Sequence, residues 1–165
     1  MNNLQIIENK ILDITQLDIS VSRWHFFEKK IVFTNGVFDL IHPGHIDYLA
    51  HAKDLGDILI VGVNTDKSVK TLGKGASRPI NNEYARSLII AALHFVDFVV
   101  LFDEETPYNL IKKIQPDVLV KGSDYKPEEI VGYDIVKANG GEIATLEFLP
   151  GYSTTSIEKK IKDAK

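Results

Sequence analysis

The sequence contains no cysteine, which excludes disulfide bonds, thiolate zinc sites and cysteine nucleophiles. It also lacks a long apolar run, because the stretches 58–63 and 96–102 are far too short to span a bilayer. The N-terminus, "MNNLQIIENK", has neither the apolar centre nor the cleavage site of a signal peptide. We therefore expect a cytoplasmic protein that does not associate with a membrane.

Basic residues are not in excess, since 19 Lys and Arg stand against 23 Asp and Glu, for a formal net charge of −4. Nucleic-acid binding relies on a basic surface that displaces counterions, so we do not expect it. The composition, 44% hydrophobic and 25% charged, is typical of a globular domain. With 165 residues and no linker or repeat, the sequence predicts a single domain over residues 1–165.

Five short runs rich in Val, Ile and Phe are apolar throughout rather than alternating, which is typical of parallel strands covered on both faces. Helical patterns lie between them. This alternation predicts one doubly wound, Rossmann-like α/β domain with a five-stranded parallel sheet and helices on both faces. Residues 1–29 are predicted as an N-terminal helical extension, because Leu17, Val21 and Trp24 share one helical face. The predicted strands are 31–34, 58–63, 98–102, 118–121 and 143–148.

The turn after the first of these strands reads "NGVFDLIHPGH" over residues 35–45. Asn35 and Gly36 permit a tight bend and a close approach of the backbone to a ligand. His42 and His45 lie in the first turn of a predicted helix, where residues three apart share a face and free backbone N–H groups attract phosphate. The motif therefore predicts a phosphate site. Metal ligation is less favoured, because no third ligand is obvious nearby.

Two further segments are candidates for binding phosphate. Residues 153–156, "STTS", begin the last predicted helix, where the hydroxyls of Ser153 and Thr154 suit either a helix cap or a phosphate. Residues 70–79 form a basic stretch with two glycines, and a loop of this kind can close a lysine onto a triphosphate. Lys74 fits that position best and Lys70 is the second choice, whereas an ordinary exposed loop is the alternative.

Three other charged residues need an interpretation. Lys121 follows the fourth predicted strand and is expected to contact an acceptor or a base, or else to pair with Asp124. Arg86, three residues after Glu83, is interpreted as a helix-face ion pair rather than as a ligand. Asp39 is expected to orient nearby groups, and no metal ligand is assigned.

The motif "HPGH" after "TNGVFD" resembles the HxGH signature of the nucleotidyltransferase superfamily. The second motif of that superfamily, a Ser/Thr-rich turn before the last helix, is matched by "GYSTTSI" at residues 151–157. Across nearly the whole chain, "VGVNTD", "LGKGASRPIN", "VKGSDYKPEEI" and "ANGGE" resemble the D-glycero-β-D-manno-heptose 1-phosphate adenylyltransferases in their stand-alone form. Ser123 stands where that family is expected to carry glycine.

The resemblance implies that AMP is transferred from ATP to D-glycero-β-D-manno-heptose 1-phosphate, giving ADP-heptose and pyrophosphate. It also implies Mg²⁺ accompanying the ATP, and it is compatible with a homo-oligomer. The residues implied are, for catalysis, His42, His45 and Lys74; for the nucleotide, Asn35, Gly36, Val37, Phe38, Gly44, Ser153, Thr154 and Thr155; and for the acceptor, Asp39, Arg78, Lys121 and Asp124.

Two alternatives stay open. A cytidylyltransferase acting on glycerol 3-phosphate or a similar small phosphate shares both motifs. Its pattern places an arginine shortly before "STT", however, where this chain has "EFLP" at residues 147–150, which favours ATP. The other alternative is a non-catalytic nucleotide-binding module on the same fold, against which the intact histidine pair argues.

Overall fold

The computed structural model describes residues 1–73, 78–123 and 126–164. The strands in these ranges are β1 (Ile11–Leu12), β2 (Ile31–Gly36), β3 (Ile58–Asn64), β4 (Phe98–Phe102), β5 (Val118–Gly122) and β6 (Glu142–Leu146). The α-helices are α1 (Asn3–Glu8), α2 (Ile14–Phe26), α3 (Pro43–Lys53), α4 (Asp66–Thr71), α5 (Glu83–Ala91), α6 (Tyr108–Ile114), α7 (Tyr133–Ala138) and α8 (Thr154–Asp163). A short 3₁₀ helix covers Pro127–Glu129.

The strands form one parallel sheet in the order β1-β4-β3-β2-β5-β6. The prediction of a parallel α/β sheet is confirmed, but the predicted number of five strands is wrong. The sixth strand, β1, lies in the segment predicted to be helical and pairs with the edge of β4 through Ile11 and Val99. A strand of two residues is too short for any period to show in the sequence.

Helices cover both faces of the sheet, and a separate hydrophobic cluster fills each face. One cluster contains Leu17 of α2, Ile111 of α6 and Val136 of α7, and the other contains Leu49 of α3 and Ile90 of α5. Neighbouring residues of a strand point to opposite clusters. Every residue of β3 is buried as a result, which explains why the strands lack alternation in the sequence.

The order of the strands reverses at β2. From β2 the chain builds outward through β3 to β4, and it then crosses to β5 on the other side of β2. In open α/β sheets the ligand site lies beyond the carboxyl ends of the strands at such a reversal. The loop after β2 and the start of α3 lie at this point, as predicted.

Two helices that are far apart in the sequence, α3 and α8, begin near this edge. His42 is the N-cap of α3 and Pro43 occupies its first turn, where the fixed φ of proline suits a helix start. Ser153 caps α8, and its side chain accepts a hydrogen bond from the Ser156 backbone N–H at 3.0 Å. None of the helices that the structure describes is long and apolar enough to cross a membrane.

Candidate functional site

A cleft of about 430 Å³ opens at the carboxyl edge of the sheet, a size within the usual range for small-molecule sites. The ends of β2, β3 and β5 line it, together with the first turns of α3 and α8. The structure thus brings residues from both predicted motifs to one cavity. The predicted site residues that line it are Asn35, Gly36, Val37, Phe38, Asp39, His45, Arg78, Lys121 and Thr154.

The two histidines of the first motif form a stacked pair. Their ring centroids are 3.8 Å apart at an interplanar angle of 20°, and the Phe38 ring lies edge-on to His45 with centroids 5.4 Å apart. Burial lowers the pKa of His45 to about 4, with a further contribution from the charge of His42, and burial also lowers the pKa of His42. The pair is therefore uncharged near neutral pH.

The Nδ1 atoms of His42 and His45 are buried and have no hydrogen-bond partner within the described part of the chain. Because these atoms are buried, the ring nitrogen of His45 that can meet a ligand in the cleft is Nε2. A neutral imidazole carries one N–H donor and one acceptor nitrogen. The pair can therefore donate hydrogen bonds to phosphate oxygens without being protonated.

Gly44, between the two histidines, allows this packing. A Cβ atom at residue 44 would lie 3.1 Å from His42 Nδ1 and 3.5 Å from the Cβ of Tyr152. The first distance is tighter than most real Cβ contacts, so a larger residue would displace the His42 ring. Because Tyr152 directly precedes the cap of α8, the same glycine lets the starts of α3 and α8 lie against each other.

The low pKa of His45 predicts a specific pH dependence of stability. Below pH 6.5 the unfolded chain protonates this histidine, whereas the folded chain resists protonation until about pH 4. Folding stability should therefore fall as the pH drops from 6.5 towards 4. We expect His45→Gln to show a smaller fall than the wild type in urea unfolding at pH 7.0, 5.5 and 4.5. Equal falls in the two proteins would contradict the shifted pKa.

Lys121 and Asn35 meet where β5 and β2 separate. The Lys121 Nζ donates a hydrogen bond to Asn35 Oδ1, and burial lowers the pKa of Lys121 to about 8. Lys121 makes no ion pair with any carboxylate among the described residues. Among the described residues, the partner of this partly buried ammonium group is an amide oxygen, which compensates its charge poorly. An anion in the cleft would supply the missing charge.

Asp39 and Arg78 also line the cleft. The Asp39 carboxylate is buried and accepts hydrogen bonds from the backbone N–H groups of Ile80 and Asn81, each at 2.9 Å. Arg78 lies 3.9 Å from Asp39 Oδ2 and makes a closer ion pair, 2.7 Å, with Glu158 of α8. Asp39 thus anchors residues 80–81 beside the cleft, and its oxygens are committed to that task.

Arg86 does not make the predicted helix-face ion pair with Glu83, so that interpretation is wrong. Its side chain is fully buried and donates to the backbone carbonyls of Val37 at 2.8 Å and Asn81 at 2.9 Å, and to the Asp66 carboxylate at 2.8 Å. Glu83 instead accepts a hydrogen bond from the Asp66 backbone N–H. The helix pattern suggested an exposed position because it does not show that α5 packs beneath the loop after β2.

Arg86 supports a strained turn. Phe38, the residue after its acceptor Val37, has φ +51°, a left-handed conformation that side chains larger than glycine rarely adopt. Such strain persists where surrounding contacts over-determine it, and it is common at functional sites. Arg86 on one side and the Asp39 anchor on the other supply those contacts.

Several predicted site residues are placed differently or lie outside the described residues. Lys74 and Asp124 belong to the second group, so the alternative pairing of Lys121 with Asp124 lies there too. His42, Gly44, Ser153 and Thr155 adjoin the cleft in sequence but do not line it. Among the described residues, no three or more His, Asp or Glu side chains form a group that could hold a metal ion.

Six cleft residues were not predicted from the sequence. Asn64 had a usable signal, since a polar residue ending a wholly buried strand is unusual. The sequence pattern of Tyr48 is that of an ordinary core residue of a helix. In the structure its hydroxyl shares a hydrogen bond with that of Thr34 at 2.8 Å, and its ring stacks on Phe148. Glu105 lies in an exposed acidic loop with no distinguishing pattern. The full set is Tyr48, Asn64, Leu72, Glu105, Gly122 and Phe148.

Together these features define a class of site. A parallel α/β sheet places the first turns of two helices, one imidazole of the neutral histidine pair and a partly buried lysine around one cleft at the strand-order reversal. Free N–H groups and uncharged donors of this kind suit a phosphate-rich ligand such as a nucleotide.

The chain belongs to the cytidylyltransferase-like family, whose model matches residues 33–160. It is 54% identical over 158 residues to the bifunctional protein HldE of Campylobacter concisus, which covers 96% of this chain and 32% of that protein. It is 58% identical over 137 residues to the HldE of Campylobacter curvus, covering 83% of this chain and 28% of that one. The chain thus spans about a third of the length of these relatives.

Two solved structures are similar to this chain. The lipopolysaccharide core biosynthesis protein of Thermoplasma volcanium is 29% identical with a TM-score of 0.59, and the match covers 73% of this chain and 97% of that one. The pantoate-β-alanine ligase of Francisella tularensis has a TM-score of 0.60 over 92% of this chain and 76% of that one, at 19% identity. The second likeness concerns the fold alone.

Proposed function

We propose that this chain transfers AMP from ATP to D-glycero-β-D-manno-heptose 1-phosphate, releasing pyrophosphate and forming ADP-heptose. One observation carries the proposal: His45 and Thr154, each in the first turn of a different helix, line the same cleft. Membership of the cytidylyltransferase-like family and the match to a lipopolysaccharide core biosynthesis protein support the reaction class and its context. A reaction that consumes ATP is consistent with the expected cytoplasmic location.

For this reaction the protein needs mainly to align the substrates and to stabilise the developing charge. An oxygen of the sugar 1-phosphate attacks the α-phosphorus of ATP, the bond to the bridging oxygen breaks, and pyrophosphate carries away the electron pair. The attacking oxygen is already an anion at neutral pH, so no general base is required. Preorganised donors that meet the developing charge then supply most of the acceleration.

The geometry of the cleft supports the roles proposed for the described residues, whereas those of Lys74 and Asp124 rest on the resemblance. His45, backed by His42, would donate to phosphate oxygens, as would the backbone N–H groups at the start of α8 near Thr154 and Thr155. Asn35, Gly36, Val37 and Phe38 would form the wall against which the nucleotide lies. Lys74 is proposed to meet the triphosphate. Arg78 and Lys121, with Asp39 holding the wall and Asp124 nearby in sequence, are proposed to serve the acceptor.

Mg²⁺ is proposed to enter with the triphosphate. The fit is to a metal held by phosphate and water rather than by a protein cage, because the buried carboxylate of Asp39 is committed to backbone N–H groups and the described residues form no metal-binding cluster. Mg²⁺ commonly binds in this way. When bound, it would neutralise charge on the departing pyrophosphate.

A matrix of donors and acceptors tests the proposal. ATP, CTP and GTP are each combined with the β- and α-anomers of D-glycero-D-manno-heptose 1-phosphate and with glycerol 3-phosphate, and pyrophosphate release is measured. We expect the highest kcat/KM for ATP with the β-anomer. A site that hydrogen-bonds several hydroxyls rejects acceptors lacking them by factors of roughly 10⁴. A preference for CTP with glycerol 3-phosphate would instead support the cytidylyltransferase alternative.

A further inference from the structure

We propose that the Glu105 carboxylate accepts hydrogen bonds from the hydroxyl groups of the acceptor sugar and thereby determines acceptor specificity. The proposal rests on the proposed function, because it assigns a residue to the acceptor half of the same cleft. Glu105 lies in the loop between β4 and α6 and lines the cleft together with Asn64. No role for either residue follows from the motifs.

Glu105 is the cleft carboxylate that remains available among the described residues. The other one, Asp39, is buried and holds the backbone N–H groups of Ile80 and Asn81. Glu105 is exposed and makes no hydrogen bond or ion pair within the described chain. A carboxylate accepts hydrogen bonds but donates none. In a cleft built for phosphates, such a group repels the anionic part of a ligand and attracts its hydroxyls.

The loop that carries Glu105 is held firmly in place. The Asn64 side chain donates to Ser68 Oγ at 2.9 Å, and Ser68 Oγ donates in turn to the Glu104 backbone carbonyl at 2.7 Å. Thr65 Oγ1 donates to the Asp103 carboxylate at 2.6 Å. Asn64 and Ser68 are both buried. These bonds tie the residues just before Glu105 to the start of α4, which fixes the wall from which its carboxylate acts.

The position of Glu105 in the sheet favours the acceptor over the nucleotide. His45 and Thr154, which are assigned to the nucleotide phosphates, belong to helices that start near the end of β2. Glu105 follows β4, two strands away from β2, or about 10 Å at ordinary strand spacing. Asn64, at the end of β3 between them, would present its amide oxygen as a second acceptor. The two residues form a wall suited to a polyhydroxylated ligand.

The pattern of groups fits a sugar better than a small phosphate. Sugar hydroxyls donate in several directions, and a carboxylate can accept two of them in charge-assisted hydrogen bonds. A glycerol phosphate is shorter and offers fewer hydroxyls at that distance from its phosphate. The Glu105 carboxylate would then add repulsion without a compensating contact.

The test compares steady-state kinetics of the wild type with Glu105→Gln and Glu105→Ala. The matched control is Glu104→Gln, which alters the neighbouring carboxylate and leaves the backbone carbonyl that Ser68 holds. With β-heptose 1-phosphate we expect the KM for the acceptor to rise about tenfold in Glu105→Gln and about a hundredfold in Glu105→Ala. The KM for ATP should stay unchanged, and Glu104→Gln should match the wild type.

One further arm separates the ribose hydroxyls of ATP from the hydroxyls of the acceptor. Replacing ATP by 2′-deoxy-ATP should change the kinetics of the wild type and of Glu105→Gln equally, because Glu105 is proposed to bind the acceptor hydroxyls and not those of the ribose. A rise in the KM for ATP in place of the acceptor, or no change in either KM, would overturn the proposal. Wild-type turnover of the heptose phosphate is measured first. Its absence contradicts the proposed function, and the variants are then compared with whichever acceptor the wild type uses, where an unchanged acceptor KM overturns the role of Glu105.

Discussion

Replacing His45 by alanine is expected to lower turnover about a hundredfold or more while the protein stays folded. The imidazole lines the cleft, stacks on His42 and is kept neutral by burial, which lowers its pKa to about 4. A preorganised donor of this kind is typically worth about 3 kcal/mol of transition-state stabilisation. Pyrophosphate release under saturating substrates gives the rate, and thermal unfolding checks the fold.

His51→Ala is the matched control for this experiment. His51 lies on the same helix, α3, but its side chain is 61% exposed and contacts Asp47, so its removal should change neither rate nor stability. His45→Gln adds a second comparison, because its amide can still donate one hydrogen bond. If His45→Ala unfolds at the wild-type midpoint and turns over at nearly the wild-type rate, His45 has no part in catalysis.

Replacing Arg86 by methionine is expected to lower the free energy of unfolding by about 3 kcal/mol, because it leaves a carboxylate and two carbonyls without their donor. The affected groups are Asp66 and the carbonyls of Val37 and Asn81. Methionine keeps most of the volume, so the loss reports polar contacts rather than a cavity. Urea unfolding at pH 7 measures it.

Turnover by Arg86→Met should fall as well, since Arg86 holds the turn in which Phe38 is strained. Arg23→Met is the control, because Arg23 is exposed on α2 and only approaches the Phe27 ring, at 5.9 Å. A loss of stability below about 1 kcal/mol in Arg86→Met, similar to the control, would mean that the network around Arg86 contributes little.

The parts of the fold that could be predicted were those with a continuous local pattern. Strand β3 could be predicted because burial on both faces requires a continuous apolar run. Helix α3 could be predicted because a proline occupies its first turn. Strand β1 has no such local sequence pattern, since it forms only by pairing with β4, more than 80 residues further along the chain.

The same limit applies to the site. His45 and Thr154 belong to short motifs that carry their chemistry locally, so their placement at the cleft could be anticipated. Arg86 could not be interpreted correctly, because its three acceptors come from the loop after β2, the first residue of α4 and the loop before α5, which only the tertiary structure brings together. Glu105 was missed for a related reason: a carboxylate in an acidic loop is ordinary until the sheet places it beside β3.

The uncharged state of the histidine pair has a consequence for the end of the reaction cycle. In the proposed reaction pyrophosphate would leave as a highly charged anion, and a cleft crowded with fixed positive charges would retain it and slow the next turnover. Neutral imidazoles provide directed donors while the bond is breaking but little net attraction once the product has separated. In the proposed reaction, the burial that suppresses protonation of His42 and His45 would therefore also favour rapid release of the product.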